Sequence, residues 1–171
     1  KKRGINFFST AVTEDYVYRL NKYCEVIKVA SGDMSFLPLI DNLIKTNSKI
    51  IISTGMHTEK EVDNLIRYIS KKKGKKYLKN KLALMQCTVS YPTPTSEANV
   101  NVINNFKKKY NLTIGYSNHS LTMGPCLAAV ANGAKIIEVH FTDTRKNKTF
   151  HDHNLSFEPT ELKNLITISN D

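Results

Sequence analysis

Short apolar runs alternate along the chain with longer stretches whose apolar residues recur at helical spacing. The runs at residues 5–8, 26–30, 49–52, 82–85, 112–116 and 135–141 predict strands. In the third, Ile50, Ile51 and Ile52 follow one another, so both faces of that strand must be buried, as in a parallel sheet. Between the runs lie predicted helices. One spans residue 14 to about 23 with Thr13 able to cap it, and one carries Leu37, Ile40, Leu43 and Ile44 with Pro38 in its first turn. Another carries Val62, Leu65, Ile66 and Ile69 behind a capping box, Thr58 with Glu61. Further helices are expected at 100–110 and, from Pro159, through Leu162, Leu165 and Ile166. Residues 121–133 are small and apolar at helical spacing, with Gly133 placed to stop a helix. Residues 89–95 are too proline-rich for a helix, and 143–154 read as a polar loop. Six βα units with short connections and no internal linker imply a parallel sheet with helices outside it.

The strand ends repeat a chemistry. They read Ser9-Thr10, Ser31-Gly32, Ser53-Thr54-Gly55, Thr88, Ser117-Asn118-His119 and His140-Phe141-Thr142. In parallel α/β folds the C-terminal strand edge is where ligands bind. Any one Ser or Thr there is an ordinary helix cap. Nearly all of them together, with Lys28 among them, favour an anion-binding rim. A lone histidine at a strand end is usually a hydrogen-bonded structural residue. Two at equivalent points of consecutive βα units, His119 and His140, could share a divalent metal.

The chain has 171 residues, enough for one domain with a real core, and no apolar run approaches the length of a membrane span. No signal peptide is visible. Three separated cysteines, Cys24, Cys87 and Cys126, form no CxxC pair and suit a reducing, cytoplasmic setting. The net charge is +10, which could mark a nucleic-acid binder. The lysines concentrate at 71–76 and 107–109, at the ends of predicted helices, with no aromatic ladder interleaved. They complement helix C-termini, so a solvated basic face is favoured over a nucleic-acid surface, and no nucleic-acid partner and no membrane are expected.

Six motifs occur in order: Lys28-Val29-Ala30-Ser31-Gly32-Asp33, Ile52-Ser53-Thr54-Gly55-Met56, Gln86-Cys87-Thr88 leading to Tyr91-Pro92, Gly115-Tyr116-Ser117-Asn118-His119, Glu138-Val139-His140-Phe141-Thr142, and Asp152-His153-Asn154-Leu155-Ser156-Phe157-Glu158-Pro159. Together they resemble the sialic acid synthase family, the N-acetylneuraminate synthases and their legionaminic and pseudaminic relatives. The resemblance implies a TIM (β/α)8 barrel that condenses phosphoenolpyruvate with an N-acylated amino sugar such as N-acetylmannosamine. The products are an N-acetylneuraminate-type nonulosonic acid and phosphate. It implies that Lys28, Ser31, Ser53 and Ser117, with Thr10 as a further candidate, hold phosphoenolpyruvate. His119 and His140 match two ligands of a manganese or magnesium ion, and Asp33, Tyr91 and Asp152 match positions that contact the sugar. Asp33, His119 and His140 are the candidate catalytic residues. Cys87 reads as a packed thiol, since this chemistry needs no covalent intermediate.

The sequence departs from the family pattern in places. Val89 stands where many members of the family have a phosphoenolpyruvate-binding asparagine, and His151 and His153 flank Asp152. Six strands are present where the family's barrel has eight. The resemblance places the missing two before Lys1, with a family glutamate and a second phosphate-binding lysine. It also implies a C-terminal antifreeze-like domain and a homodimer for a full-length protein. The chain is therefore expected to be a partial barrel domain, and a phosphate- and metal-binding fragment without turnover stands as the alternative to a synthase.

Overall fold

The structure, a computed structural model, describes residues 4–170. Six strands are ordered in the sheet as in the chain: β1 (Ser9–Thr10), β2 (Val26–Val29), β3 (Lys49–Ser53), β4 (Leu82–Cys87), β5 (Thr113–Asn118) and β6 (Ile136–Val139). Seven helices are described: α1 (Glu14–Asn21), α2 (Leu37–Leu43), α3 (Glu59–Lys73), α4 (Lys75–Lys81), α5 (Val102–Tyr110), α6 (Gly124–Ala131) and α7 (Pro159–Asn170). This is an α/β array of the TIM-barrel class, with about six βα units. The chain forms two compact units that meet in sequence between Leu84 and Met85.

In the first unit β1, β2 and β3 pair in parallel. Ile50, Ile51 and Ile52 are all buried, as a parallel interior strand requires. The capping box forms: Thr58 N–H donates to Glu61 Oε2 at 2.7 Å, and Glu61 N–H donates back to Thr58 Oγ1. Three sequence expectations need correction here. The first strand is Ser9–Thr10 alone, not residues 5–8. Its two residues find partners on β2, while Ile5 and Phe7 stay exposed, at 73% and 68%. Thr13 occupies the N-cap position of α1 without a side-chain cap bond, and Glu14 and Asp15 supply the favourable charge instead. The lysine-rich stretch is not only a helix end, since Gly74 separates α3 from a further helix, α4, that the apolar pattern left unmarked.

In the second unit β5 and β6 pair in parallel from Gly115↔Ile136 to Asn118↔Val139. Gly115 permits this: a Cβ there would lie 2.8 Å from the Ile136 carbonyl oxygen. α6 ends in a Schellman turn, with Gly133 at φ +87° and Ala134 N–H donating to Ala129 O at 2.9 Å. The polar stretch after β6 is not all loop. Phe141 makes a parallel bridge to Phe157, and His151–Leu155 form a 3-10 turn. Among the described residues no helix is long and apolar enough to cross a membrane.

Candidate functional site

Within the first unit the register selects the rim. Thr10 lies opposite Lys28, and Lys28 opposite Ile51. Ser53 is two residues beyond Ile51, so side-chain alternation turns Thr10, Lys28 and Ser53 to one face. The contacts agree. Lys28, only 6% exposed, donates from Nζ to Ser53 Oγ at 2.8 Å. Ser31 opens a 3-10 turn directly after β2, where its Oγ accepts from Gly55 N–H at 3.0 Å. Asp33 closes the same turn and is half-buried. A buried ammonium among hydroxyls at successive C-terminal strand ends is suited to a compact anion.

Within the second unit the same rule places Ser117 opposite Glu138. His119 and His140, each two residues on, share that face. Their ring centroids are 5.3 Å apart. Two imidazoles on one ion, with metal–nitrogen bonds near 2.1 Å and an angle between octahedral and tetrahedral, would have centroids on the order of 5 Å apart. His119 Nδ1 lies 2.8 Å from the Thr88 carbonyl oxygen. A carbonyl only accepts, so Nδ1 carries the proton, and the lone pair of a neutral ring is on Nε2. His140 Nδ1 lies 3.5 Å from Asp152 Oδ2. A backbone carbonyl behind one ring and a carboxylate behind the other are the supports that metal-binding histidines have. No group of three or more His, Cys, Asp or Glu suited to a metal occurs among the described residues. The pair could hold an ion at two points, with oxygen donors in its other positions.

Tyr91 packs against both rings, stacked on His119 at 4.0 Å and edge-on to His140 at 5.9 Å. Burial pushes its hydroxyl up to about 12, reinforced by Cys87, Asp152 and Glu138, so it remains a hydrogen-bond donor at neutral pH. Cys87 Sγ, a buried thiol, lies 3.9 Å from His119 Nδ1. Asp152 faces His140, and Ser117 Oγ donates to Glu138 Oε1 at 3.0 Å.

Glu138 is the residue that sequence reasoning passed over as a site residue. Its signal was present: a carboxylate inside the apolar run Ile136-Ile137-Glu138-Val139 has no packing reason to be there. His151 makes a contact that its place in the sequence does not announce. The structure sets its Nε2 3.0 Å from the Tyr91 carbonyl oxygen.

The sequence model of the NeuB family matches residues 1–170. The chain belongs to the NeuB family. It is 38% identical over 168 residues to the N,N'-diacetyllegionaminic acid synthase of Campylobacter jejuni, covering 98% of this chain and 49% of that protein. It is 34% identical over 171 residues to the N-acetylneuraminate-9-phosphate synthase of Drosophila melanogaster, covering 98% of this chain and 44% of that protein. The crystal structure of the N-acetylneuraminic acid synthetase of Leptospira borgpetersenii, in complex with citrate, superposes with a TM-score of 0.91 at 33% identity, over 99% of this chain and 57% of that one. This NeuB-family chain spans about half the length of the curated relatives it matches.

Proposed function

We propose that the protein is a synthase that joins phosphoenolpyruvate to an N-acylated amino sugar, such as N-acetylmannosamine, to give a nine-carbon 2-keto acid and phosphate. The observation that carries this reading is the His119–His140 pair, each ring backed by its own acceptor and both packed by Tyr91. Membership of the NeuB family supports it.

Lys28, with Ser31 and Ser53, would hold the phosphate and stabilise its charge as it leaves. His119 and His140 would hold a manganese or magnesium ion, which when bound supplies Lewis-acid polarisation of the sugar aldehyde. Tyr91, protonated, would donate a hydrogen bond to the sugar, and Asp33 and Asp152 would accept from its hydroxyls. C3 of phosphoenolpyruvate attacks the aldehyde carbon, whose oxygen takes a proton. Water adds at C2 and loses a proton, and Glu138 would orient it. The C2–O bond to the phosphate group then breaks, the C2 hydroxyl gives up its proton to become the keto group, and phosphate departs. The relatives' names carry different sugars, so the amino sugar is taken here only as a class. Three buried free cysteines fit a reducing compartment, and we place the reaction in the cytoplasm.

The test is phosphate release from phosphoenolpyruvate with manganese, comparing N-acetylmannosamine with its 2,4-diacetamido analogues, in the full-length protein and in His119→Ala. Sugar-dependent release that the substitution abolishes supports the synthase and names the sugar. Manganese-dependent phosphoenolpyruvate binding without release overturns it in favour of a binding module.

A further inference from the structure

The 3-10 turn His151–Leu155 is fixed at its base and reaches out at its tip. At the base, Phe157 N–H donates to His140 O at 2.8 Å and Thr142 N–H to Phe157 O at 3.0 Å. Thr142 Oγ1 meets His153 Nδ1 at 2.8 Å, and Ser156 Oγ donates to Asp152 O at 2.7 Å. At the tip, His151 Nε2 meets the Tyr91 carbonyl at 3.0 Å. Since the carbonyl can only accept, Nε2 is the donor. The Tyr91 loop is pinned on its far side as well: Thr93 N–H donates to His119 O at 2.9 Å, and Thr93 Oγ1 to Ser90 O at 2.7 Å. Tyr91 is therefore gripped from both flanks while its ring covers the imidazole pair.

We propose that His151 is a positioning residue: by holding the Tyr91 carbonyl it fixes the Tyr91 ring over His119 and His140, and so sets how tightly the site grips its amino sugar. The assignment of the sugar rests on the synthase reading; the His151–Tyr91 tie does not. His151 touches neither imidazole in any contact described, and it acts through the backbone of its neighbour. A side chain that shapes one wall without touching the reacting groups alters binding of the group that lies against that wall more than it alters the chemical step.

Two measurements test this in the full-length protein. The first is NMR of ring-labelled histidine. A tyrosine stacked at 4.0 Å shifts the His119 ring protons upfield by its ring current. His151→Ala should move that signal towards its position in Tyr91→Leu, and His151→Gln, whose amide can still donate, should keep it near wild type. The second is steady-state kinetics. His151→Ala should raise KM for the sugar about five-fold, the scale of one exposed hydrogen bond, with a smaller change in kcat and none in KM for phosphoenolpyruvate, and the glutamine should restore it. An unmoved His119 signal in His151→Ala overturns the proposal. A moved signal with unchanged sugar KM overturns its bearing on the sugar. A moved signal in a protein that shows no condensation at all upholds the tie and defeats the synthase reading.

Discussion

Lys28 concentrates the chemistry of the first unit in one side chain. It is a buried cation whose Nζ is hydrogen-bonded to a neutral hydroxyl, Ser53 Oγ. Bringing a phosphate to it would add charge-assisted bonds that no neutral residue can replace. Lys28→Met should weaken phosphoenolpyruvate binding by about ten- to a hundred-fold, the range for hydrogen bonds to charged groups, as read by calorimetric titration. Ser53→Ala should cost less, since the ammonium remains. At this scale the sequence was readable where type and place both mattered. A lysine in the apolar run of residues 26–30 and hydroxyls at strand ends were visible as a pattern, and so were two histidines at equivalent positions. The contacts of His151 and Glu138 were not, because each depends on which residue lies across from it, and register is set by pairing rather than by composition.

Elements were legible to the extent that their signals are local. The capping box at Thr58 and Glu61 and the glycine stop at Gly133 are short-range devices, and both formed as read. The first strand was misplaced because its limits depend on where its neighbour on β2 offers partners, not on its own apolar run. α4 was missed because its sequence, Lys-Lys-Tyr-Leu-Lys-Asn-Lys, buries little besides Leu78 and so has no apolar stripe to announce it. Gly115 carries the main element-scale prediction. With a Cβ placed 2.8 Å from the Ile136 oxygen and 2.9 Å from Ile136 Cβ, Gly115→Ala would force β5 and β6 apart. Overpacking of this kind costs about 1–3 kcal/mol, and urea denaturation should show an unfolding free energy lower by that amount, with an earlier midpoint and an unchanged slope. Because His119 follows β5 and His140 follows β6, the same substitution should also weaken manganese binding.

At the scale of the whole molecule two properties are open to test. The first is charge. The net +10 invites a nucleic-acid reading, yet several of the lysines are engaged within the protein. Lys72 pairs with Asp41 at 2.7 Å and lies over the Tyr68 ring, Lys107 donates to Asn132 O, and Lys81 donates to Asn47 O. Fluorescence anisotropy with random DNA at physiological salt should show no binding. The second is alkaline stability. Burial raises the fully buried Cys126 thiol from 9.0 to about 12, and Tyr91, still 39% exposed, is raised in the same direction but contributes less because solvent screens it. Both hold their protons more tightly folded than unfolded, so the stabilisation is complete below about pH 9 and is lost progressively as pH rises towards 12. Melting temperature should fall across that window, and Cys126→Ala should flatten its first part.

Mass spectrometry of the products formed in ¹⁸O-labelled water decides whether this reaction takes place. Incubation of the manganese-loaded, full-length protein with phosphoenolpyruvate and the amino sugar should yield a nine-carbon 2-keto acid. With water entering at C2 and the C2–O bond breaking, as proposed, the phosphate should carry no label. Label in the phosphate, or phosphate released with no nine-carbon product, would rule this reaction out.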